Sequence, residues 1–568
     1  MNERIRKIFC LGFIVSIVIL LSLYFLSEKS GYYIDEGMTL YLANGNYNGA
    51  VTTATDYGFL DFIEEFVLRE SFSATVDNVR NMIGELVGSG NYSKEGTIGW
   101  YDAARNMLQG EYEWVTSEEL RNQIIAEKGN RFTFIQVYLN QVVDVHPPLY
   151  YVIVHLVNSC IPGFFSNYIL GGINLLFLLL TLYIIYLVSE IVLCDGKRAL
   201  LVSTIYGLSQ GFFSCVVYFR MYAVLSFFIV LTLYLTLVLL EKGMTGNRKF
   251  IIALISTIVL GSWTHYYYYV FLCPTVIITI CGLWKKFGKK ETFFYVRKLI
   301  IAGIISVIIW PFSLYHILFS YRGTEAVDSL IHRGIWEAFC SYVTILCEGI
   351  ISGNMFVGIM IVLAIIVLLI NRIKSEKQLL CIKEMLVLFP VVFYWFLMIK
   401  ITPVQSDRYV FCIMPMCCLI IVWIIFAMCK VLNQREKYAY CAVIILLICN
   451  LIGTLRPNYL YREQKDLQLG VTKNNDLNCL MIMDDDASAY AYVPYLLDFN
   501  EILAIGFNDI GVLEEIRPTD SDASIVLYIA DYLETDLLVK EAACLLDASK
   551  VSDIDSDFMG VKAFLLER

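Results

Sequence analysis

The sequence has few charged residues for its length. Asp, Glu, Lys and Arg make up 17% of its 568 residues, whereas 58% are hydrophobic. A soluble chain of this size would be nearer a quarter charged. The apolar residues come in long blocks, and the mean hydropathy is +0.64. This composition predicts an α-helical polytopic membrane protein.

Several motifs of soluble proteins are also missing. The sequence has no glycine-rich phosphate loop, no internal repeat and no matched pair of CxxC motifs. Nearly all of its 17 cysteines lie in or beside apolar blocks, which indicates buried thiols rather than a disulfide framework. Cys479 and Cys544 share the last polar region, but each is part of an apolar stretch that is typical of a core. The acidic net charge of -10 makes nucleic acid a poor partner.

Eleven apolar blocks are candidates for membrane spans. The first follows Arg4, Arg6 and Lys7, and no small-residue cleavage site comes after it, so we expect a retained span rather than a signal peptide. The blocks cover roughly residues 8–26, 166–193, 198–218, 222–241, 249–264, 266–284, 297–318, 353–371, 384–401, 409–431 and 438–455.

Basic loops predict the orientation of these spans. Clusters such as Lys197-Arg198 and Lys285-Lys286 fall at every second connection, which predicts a cytoplasmic N-terminus and a C-terminal region outside the cell membrane. The apolar segment 147–161 is too short to cross comfortably, and a crossing there would move every later basic loop outside. It is therefore predicted to be an interfacial or re-entrant helix that begins at Pro147 and Pro148.

The sequence predicts two domains. The first is a transmembrane domain of residues 1–455, with an outer loop 27–165 that includes the interfacial helix 147–161. The second is a small α/β domain of residues 456–568 outside the membrane, because strand-like stretches 477–483, 502–507, 523–529 and 561–566 alternate with helix-like stretches 487–497, 510–516 and 535–546. Its run Asp484-Asp485-Asp486 could hold a metal, but a solvated acidic turn is the favoured interpretation.

Polar residues that this topology puts at the outer membrane surface are the candidate functional residues. Charge near a membrane is costly and usually marks function. A carboxylate there can take a proton from an acceptor hydroxyl, and the planar fork of arginine matches phosphate oxygens. The set fits transfer of a sugar from a lipid phosphate, and its members are Asp35, Glu36, His146, Arg220, Tyr222, His265, Arg408 and Tyr409.

Each member also has a structural interpretation. The pair Asp35-Glu36 could simply end a span in water, and the arginines could bind lipid headgroups. The tyrosine run 266–269 is typical of an aromatic belt. A transporter or flippase of lipid-linked glycans is the main alternative, although it would need polar residues at the bilayer midplane, where charge is nearly absent here. A glycan polymerase would use similar cations without needing the acidic pair.

The order of the motifs resembles a known family. Ile34-Asp35-Glu36 follows the first span, then come a long outer loop, Val145-His146-Pro147-Pro148-Leu149-Tyr150-Tyr151, and Arg220-Met221-Tyr222. This order is similar to that of the C-type membrane glycosyltransferases, a superfamily that includes the protein O-mannosyltransferases and the bacterial lipid A aminoarabinose transferases. The resemblance covers roughly residues 1–430, and residues 50–140 match poorly.

The resemblance implies an inverting transferase that moves a hexose or pentose from a polyprenyl-phosphate donor to an extracytoplasmic glycan, lipid or protein. Asp35 would be the general base with Glu36 placing it, and His146 and Arg408-Tyr409 would contact substrate. Some members carry a basic residue soon after the acidic pair, whereas Gly37-Met38-Thr39 follow here. Phosphate binding would then come from Arg220, His265 or Arg408. No cofactor and no metal site is indicated, although a divalent metal is compatible with the chemistry.

Overall fold

The computed structural model describes residues 3–567 except 47–49, 55–58, 87–102, 104–109, 128, 244–247, 319, 375–380, 454–455, 463–476, 521–522 and 555–559. The chain forms two compact units, each built from two separate stretches. Met1–Ser27 and Leu170–Asn458 form the helical unit, and Glu28–Ile169 and Tyr459–Arg568 form the mixed unit.

The α-helices are α1 (Glu3–Glu28), α2 (Ile34–Asn44), α3 (Phe59–Phe62), α4 (Phe72–Leu86), α5 (Ser117–Ile124), α6 (Phe134–Val143), α7 (Leu149–Cys160), α8 (Asn167–Leu193), α9 (Gly196–Gly207), α10 (Gln210–Val217), α11 (Tyr222–Lys242), α12 (Arg248–Ser262), α13 (Tyr267–Phe287), α14 (Lys289–Ile309), α15 (Ser313–Leu318), α16 (Tyr321–His332), α17 (Ile335–Ile351), α18 (Met355–Lys374), α19 (Ile382–Ile401), α20 (Met414–Val431), α21 (Glu436–Gly453), α22 (Val493–Leu496) and α23 (Thr535–Leu545). The strands are β1 (Thr53–Ala54), β2 (Glu111–Tyr112), β3 (Val115–Thr116), β4 (Asn478–Met483), β5 (Glu501–Gly506), β6 (Ile525–Ala530), β7 (Lys550–Ile554) and β8 (Val561–Glu567).

The helical unit confirms the predicted polytopic architecture with fewer spans. Among the described residues, seven helices are long and apolar enough to cross a membrane, and two bent pairs raise the number to nine. One bent pair is α9 with α10, which meet at 52°. The other runs through residues 313–351, most of which lie between the predicted spans 297–318 and 353–371.

Within the described residues, fewer helices qualify as spans than the eleven predicted, because three apolar blocks form helices whose described apolar part is shorter than a full span. These helices are α12, α18 and α21. The first has 15 residues and is therefore about 22 Å long, short of the ~30 Å hydrocarbon core. The apolar part of α18 is Met355–Asn371, which is also shorter than a full span.

The mixed unit contains a six-stranded sheet with the order β3-β5-β4-β6-β8-β7. The central strand β4 is parallel to β5 and to β6, and the other pairs are antiparallel. The three parallel strands are buried along their whole length, which explains why their sequences are continuous apolar runs. The four predicted strands are all present. The extra strand β7 is largely exposed and lacked the apolar pattern that identified the others.

The boundary between the units differs from the predicted domain division. The loop that was assigned to the transmembrane domain packs with the C-terminal residues instead. Its strand β3 pairs with β5, and Thr52 Oγ1 donates to the carbonyl oxygen of Ala504 at 3.0 Å. A two-residue strand has no periodicity, so the sequence pattern could not reveal this pairing.

The segment predicted to be an interfacial helix is α7. It has 12 residues, so its length is about 18 Å, which is too short to cross a bilayer. Tyr150 and Tyr151 in its first turn are fully buried in the protein. Its depth in a membrane stays a prediction.

Candidate functional site

The acidic pair occupies the first turn of α2. Tyr33 is the N-cap residue in an extended conformation, and its backbone N–H donates to Glu36 Oε2 at 2.8 Å. This contact is half of a capping box, which fixes the residue at which the helix begins. Asp35 therefore has a defined position one residue into the helix, and the helix dipole favours negative charge there.

Glu36 belongs to a buried ion pair. Both of its carboxylate oxygens lie 3.1 Å from Nζ of Lys29, and both side chains are fully buried. Lys29 also donates to the carbonyl oxygen of Tyr459 at 2.8 Å and lies over the ring of Tyr32. Burial lowers the pKa of Lys29, and the negative charge of Glu36 opposes that shift. The lysine therefore joins the start of α2 to the beginning of the C-terminal stretch.

This environment distinguishes the two members of the pair. Glu36, grouped with Asp35 as a catalytic residue that would place it, lies in a network that fixes the start of the helix. Asp35 is partly exposed, so the two adjacent carboxylates have different surroundings. Lys29 was missed because it looked like the polar end of the first span, and its spacing of seven residues from Glu36 carries no motif.

His146 forms a close pair with an aspartate in the same unit. Its Nδ1 lies 2.8 Å from Oδ2 of Asp144, whose side chain is 6% exposed, while the imidazole is 23% exposed. This contact fixes the orientation of the ring and leaves part of it accessible. Asp144 also ends α6, and α7 begins three residues after His146.

The other predicted residues come together in the helical unit. Arg408 Nη1 donates to the hydroxyl oxygen of Tyr218 at 2.7 Å, and Nη2 donates to that of Tyr409 at 3.2 Å. The guanidinium also lies over the Tyr409 ring, 5.0 Å from its centroid. Arg408 is partly exposed, whereas Tyr218 and Tyr409 are buried.

Tyr222 joins the remaining segments to this arginine. Its ring is stacked with that of Tyr218, with centroids 6.0 Å apart, and is 5.6 Å from the His265 ring and 6.2 Å from the Tyr409 ring. The His265 ring lies 4.4 Å from that of Tyr267. We call this group the tyrosine–arginine cluster, and its members are Tyr218, Tyr222, His265, Tyr267, Arg408 and Tyr409.

Arg220 lies in the turn between α10 and α11, within the same segment as Tyr218 and Tyr222. It is only 3% exposed, so it is part of the protein interior rather than a headgroup contact at the surface. Five predicted residues on three separate segments thus lie in or beside one cluster. Of its other members, Tyr218 was not a candidate, and Tyr267 belongs to the run that was assigned to an aromatic belt.

In the tyrosine run 266–269, Tyr268 is buried and the other three are half-buried, and the aromatic belt stays a prediction. The Tyr268 hydroxyl lies 2.6 Å from Oγ1 of Thr232, and the Tyr266 hydroxyl lies 2.8 Å from Nδ1 of His316. Tyr267 contacts the Tyr409 ring at 5.7 Å. These tyrosines therefore pack between helices.

An apolar groove of about 420 Å³ opens between α17, α18, α19 and the segment that begins α20. It includes Ile413, which is five residues beyond Arg408, as well as Cys417 and Ile421. Within the described part of the chain, no three His, Cys, Asp or Glu side chains are close enough together to hold a metal ion.

No known protein-family profile matches the chain, and no curated protein has a significant sequence match. Solved structures do match. The crystal structure of ArnT from Cupriavidus metallidurans bound to undecaprenyl phosphate aligns with a TM-score of 0.50 and 9% identity, over 98% of this chain and 97% of that chain. ArnT in the apo state aligns with a TM-score of 0.43 and 9% identity, over 74% and 87%.

An oligosaccharyltransferase from Archaeoglobus fulgidus, in complex with zinc and sulfate, gives a TM-score of 0.40 and 10% identity, over 68% of this chain and 59% of that chain. The alignment with the lipid-bound ArnT structure spans both units almost completely. The chain is thus a multi-pass membrane protein that shares the fold of ArnT, as its motifs predicted.

Proposed function

We propose that the protein is a membrane glycosyltransferase that moves a hexose or pentose from a polyprenyl-phosphate donor to an extracytoplasmic acceptor, with inversion. The observation that carries this proposal is the division of the acidic pair. Glu36 forms an ion pair with Lys29 and fixes the start of α2, while Asp35 presents a partly exposed carboxylate on the same turn. The ArnT fold supports the same kind of chemistry, since ArnT has been solved with undecaprenyl phosphate.

Asp35 acts as the general base in this proposal. It accepts the proton of an acceptor hydroxyl while the hydroxyl oxygen attacks the anomeric carbon. The bond from that carbon to the phosphate oxygen breaks, and the phosphate leaves with the electron pair. Attack from the side opposite the phosphate inverts the anomeric configuration. His146, oriented by Asp144, is assigned to substrate binding.

Arg408 receives the donor phosphate in this proposal. Its planar fork suits phosphate oxygens, and its contacts with Tyr218 and Tyr409 limit its orientation. Arg220, Tyr222, His265 and Tyr409 are assigned to phosphate binding together with Arg408. A positive charge that is held in place stabilises the transition state most where negative charge grows, here on the departing phosphate. The apolar groove near Ile413 would accommodate part of the prenyl chain.

The proposal assigns charge compensation to arginine and histidine rather than to a divalent cation. Transfer should therefore persist in EDTA. A loss of activity that Mg²⁺ or Mn²⁺ restores would contradict this part of the proposal.

The central test is sugar transfer by the purified protein in detergent, with a panel of labelled polyprenyl-phosphate sugars. Asp35→Asn keeps the side-chain shape and should lower transfer on the order of a hundredfold or more, since general-base catalysis commonly contributes that much. Asp536→Asn is the matched control, because Asp536 occupies the same position in the first turn of α23. Wild-type turnover by Asp35→Asn would exclude the assigned base.

The same experiment separates the alternatives. A flippase would translocate labelled lipid in sealed vesicles without forming a new glycosidic bond in detergent. A glycan polymerase would elongate lipid-linked glycans and would tolerate Asp35→Asn. Neither outcome is expected.

The proposed orientation puts the N-terminus in the cytoplasm and the mixed unit outside the cell. A cysteine introduced at Glu541, which is exposed in α23, should react with an impermeant thiol reagent in intact cells that carry a cysteine-depleted protein. Labelling only after lysis would reverse the assignment.

A further inference from the structure

A short amphipathic helix, α16, follows the candidate span α14 in the helical unit. The stretch 313–332, which contains α15 and α16, meets α17 at a bend of 111°. Helix α16 has 12 residues, so it is about 18 Å long and cannot cross the ~30 Å hydrocarbon core. Its position relative to a membrane is therefore set by what holds its two ends.

Helices α13 and α19 define one boundary of the membrane, because both are candidate spans and they run antiparallel. Near one end of this pair, a Cβ atom at Gly282 of α13 would lie 3.1 Å from Cγ1 of Ile382, the first residue of α19. At the other end, the ring of Tyr267, the first residue of α13, contacts the ring of Tyr409, which lies beyond the end of α19. The end at which α13 begins and α19 ends therefore lies at a single membrane boundary.

Both ends of α16 are attached at this boundary. Before its first residue, the N-cap residue Ser320 donates its hydroxyl to the carbonyl oxygen of His316 in α15 at 2.6 Å. Nδ1 of His316 lies 2.8 Å from the hydroxyl oxygen of Tyr266, which directly precedes α13. After the last residue of α16, Arg333 donates to the carbonyl oxygen of Pro403 at 2.6 Å, just beyond α19. Helix α16 therefore lies along the boundary and does not extend into the bilayer core.

The two faces of α16 differ in chemistry. The apolar face consists of three exposed residues with the spacing i, i+3 and i+4, namely Val327, Leu330 and Ile331. The opposite face carries the ionisable side chains Arg322, Glu325, Asp328 and His332. These side chains pair along the helix, with Arg322 Nη1 2.9 Å from Glu325 Oε2 and His332 Nε2 3.7 Å from Asp328 Oδ1. One face thus suits an apolar environment and the other suits water.

The apolar face continues a surface that a span presents to lipid. Ile304 and Ile308, one turn apart in α14, are exposed, and so are Leu314 and Leu318 of α15. Trp336, which follows α16 closely, is 74% exposed, and tryptophan is enriched at membrane–water boundaries. Because the outer face of a span contacts acyl chains, this row of exposed apolar side chains extends the lipid-facing surface from α14 to α16.

We propose that α16 binds the phospholipid surface, with its apolar face among the acyl chains and its ion-paired face in water. The membrane removes the exposed apolar side chains from water, while the charged side chains stay hydrated. Through Arg333, this contact also ties the segment that leads to Arg408 to the lipid surface. The placement follows from the spans and from the faces of α16, so it is independent of the proposed transfer reaction.

Spin labels on the two faces test this placement. Ile331→Cys and Asp328→Cys, each in a cysteine-depleted protein, carry a nitroxide on opposite faces of the same helix, and the protein is reconstituted in phosphatidylcholine vesicles. Oxygen concentrates among acyl chains, whereas a nickel chelate stays in water. The ratio of oxygen to nickel accessibility should therefore be several-fold higher at Ile331→Cys than at the matched Asp328→Cys. Ile308→Cys in α14 is the reference for a lipid-facing position.

Two accessibility results would overturn the proposal. Equal exposure of both α16 labels to the nickel chelate would leave the apolar face in water. Protection of the Ile331→Cys label from oxygen and from nickel would instead assign the face to a protein partner. Spin–spin broadening between labels would identify that partner as a second copy of the chain.

A second measurement keeps the native cysteines. The photoreactive residue p-benzoylphenylalanine, placed at Ile331, should form a phospholipid adduct on illumination in the same vesicles, whereas at Asp328 it should not. Mass spectrometry of the protein detects the adduct. A phospholipid adduct from Ile308 without one from Ile331 would contradict the proposal.

Discussion

Single residues in this protein show how differently two neighbouring carboxylates can be used. Asp35 and Glu36 are both acidic residues and are neighbours in the chain. Glu36 nevertheless has no solvent exposure, and both of its carboxylate oxygens contact Lys29. Burying both charges is costly, and the pair repays that cost only while it is complete. Glu36 therefore holds the start of the helix on which Asp35, the proposed general base, lies.

Removing one partner of this pair should destabilise the protein more than removing both. Glu36→Gln leaves the Lys29 ammonium buried without its counter-charge, a change that typically costs about 3–5 kcal/mol. The double variant Lys29→Met with Glu36→Gln removes both charges and should recover much of that loss. Thermal unfolding in detergent checks the order of the midpoints. A double variant no more stable than the single one would contradict the assignment.

A second prediction at the scale of single residues concerns Arg408, the arginine of the tyrosine–arginine cluster. Arg408→Ala should weaken donor binding by roughly tenfold to a hundredfold, because it removes charge-assisted hydrogen bonds to phosphate. Lys290→Ala, at the start of α14, is a cation-removing control outside the cluster. Donor titration of the transfer rate measures both, and equal effects would point to a general electrostatic contribution instead.

At the scale of secondary-structure elements, α2 is held by the C-terminal stretch of the mixed unit. The 3-10 segment Asp486–Ala491 packs against α2, and the Tyr41 and Tyr490 rings meet edge to face with centroids 4.9 Å apart. A Cβ atom at Gly37 would lie 1.8 Å from the carbonyl oxygen of Tyr490. Glycine at this position thus permits a backbone approach that sets the location of Asp35.

Gly37→Ala should lower transfer although alanine is the better helix former. Intrinsic propensity alone would stabilise α2 by about 1 kcal/mol, so a loss must come from the clash with Tyr490. Gly511→Ala is the control, since nothing lies within 4 Å of a Cβ atom there. We expect a folded Gly37→Ala protein with reduced transfer rate. Full activity in that protein would show that the close approach does not position Asp35.

At the scale of the whole molecule, the mixed unit is assembled from stretches far apart in the chain. Tyr112, from the stretch before α7, donates its hydroxyl to Asp486 Oδ2 at 2.6 Å and contacts Asp509 Oδ2 at 3.2 Å. Burial, reinforced by neighbouring Asp485, raises the pKa of Asp486 to about 6. The joint between the two stretches therefore contains a carboxyl group that titrates near neutrality.

The raised pKa predicts a specific pH dependence. Because the folded state binds this proton more tightly than the unfolded state, the stabilisation is complete below about pH 4 and is lost as the pH rises through about 6. Its size is about 1 kcal/mol once partial exposure of Asp486 is considered. Asp486→Asn should flatten this part of the stability–pH profile, whereas Asp536→Asn should not. Thermal unfolding midpoints of both variants and of the wild type, measured between pH 4 and pH 7.5, test this prediction. An unchanged profile in Asp486→Asn would contradict it.

The local pattern of apolar and polar residues in the sequence by itself determined most of the helices and strands of this protein. Continuous apolar runs predicted the membrane helices and the three parallel strands, because burial on all sides requires such runs whatever the partner. Polar residues beside spans predicted the segments that carry Arg408, Tyr222 and His265, and the structure brings those segments together. Span number was less predictable, since the 15-residue helix α12 is only slightly less apolar than the longer α13 that follows it.

Only the tertiary structure decided how distant segments combine. The contact of Lys29 with the carbonyl oxygen of Tyr459 joins residues 430 positions apart, and the pairing of Val115 with Ile502 involves a strand of two residues. Neither contact has a period or a spacing that a sequence pattern could display. The different environments of Asp35 and Glu36 arise from the same cause, because burial and counter-charge depend on what the folded chain places beside each carboxylate.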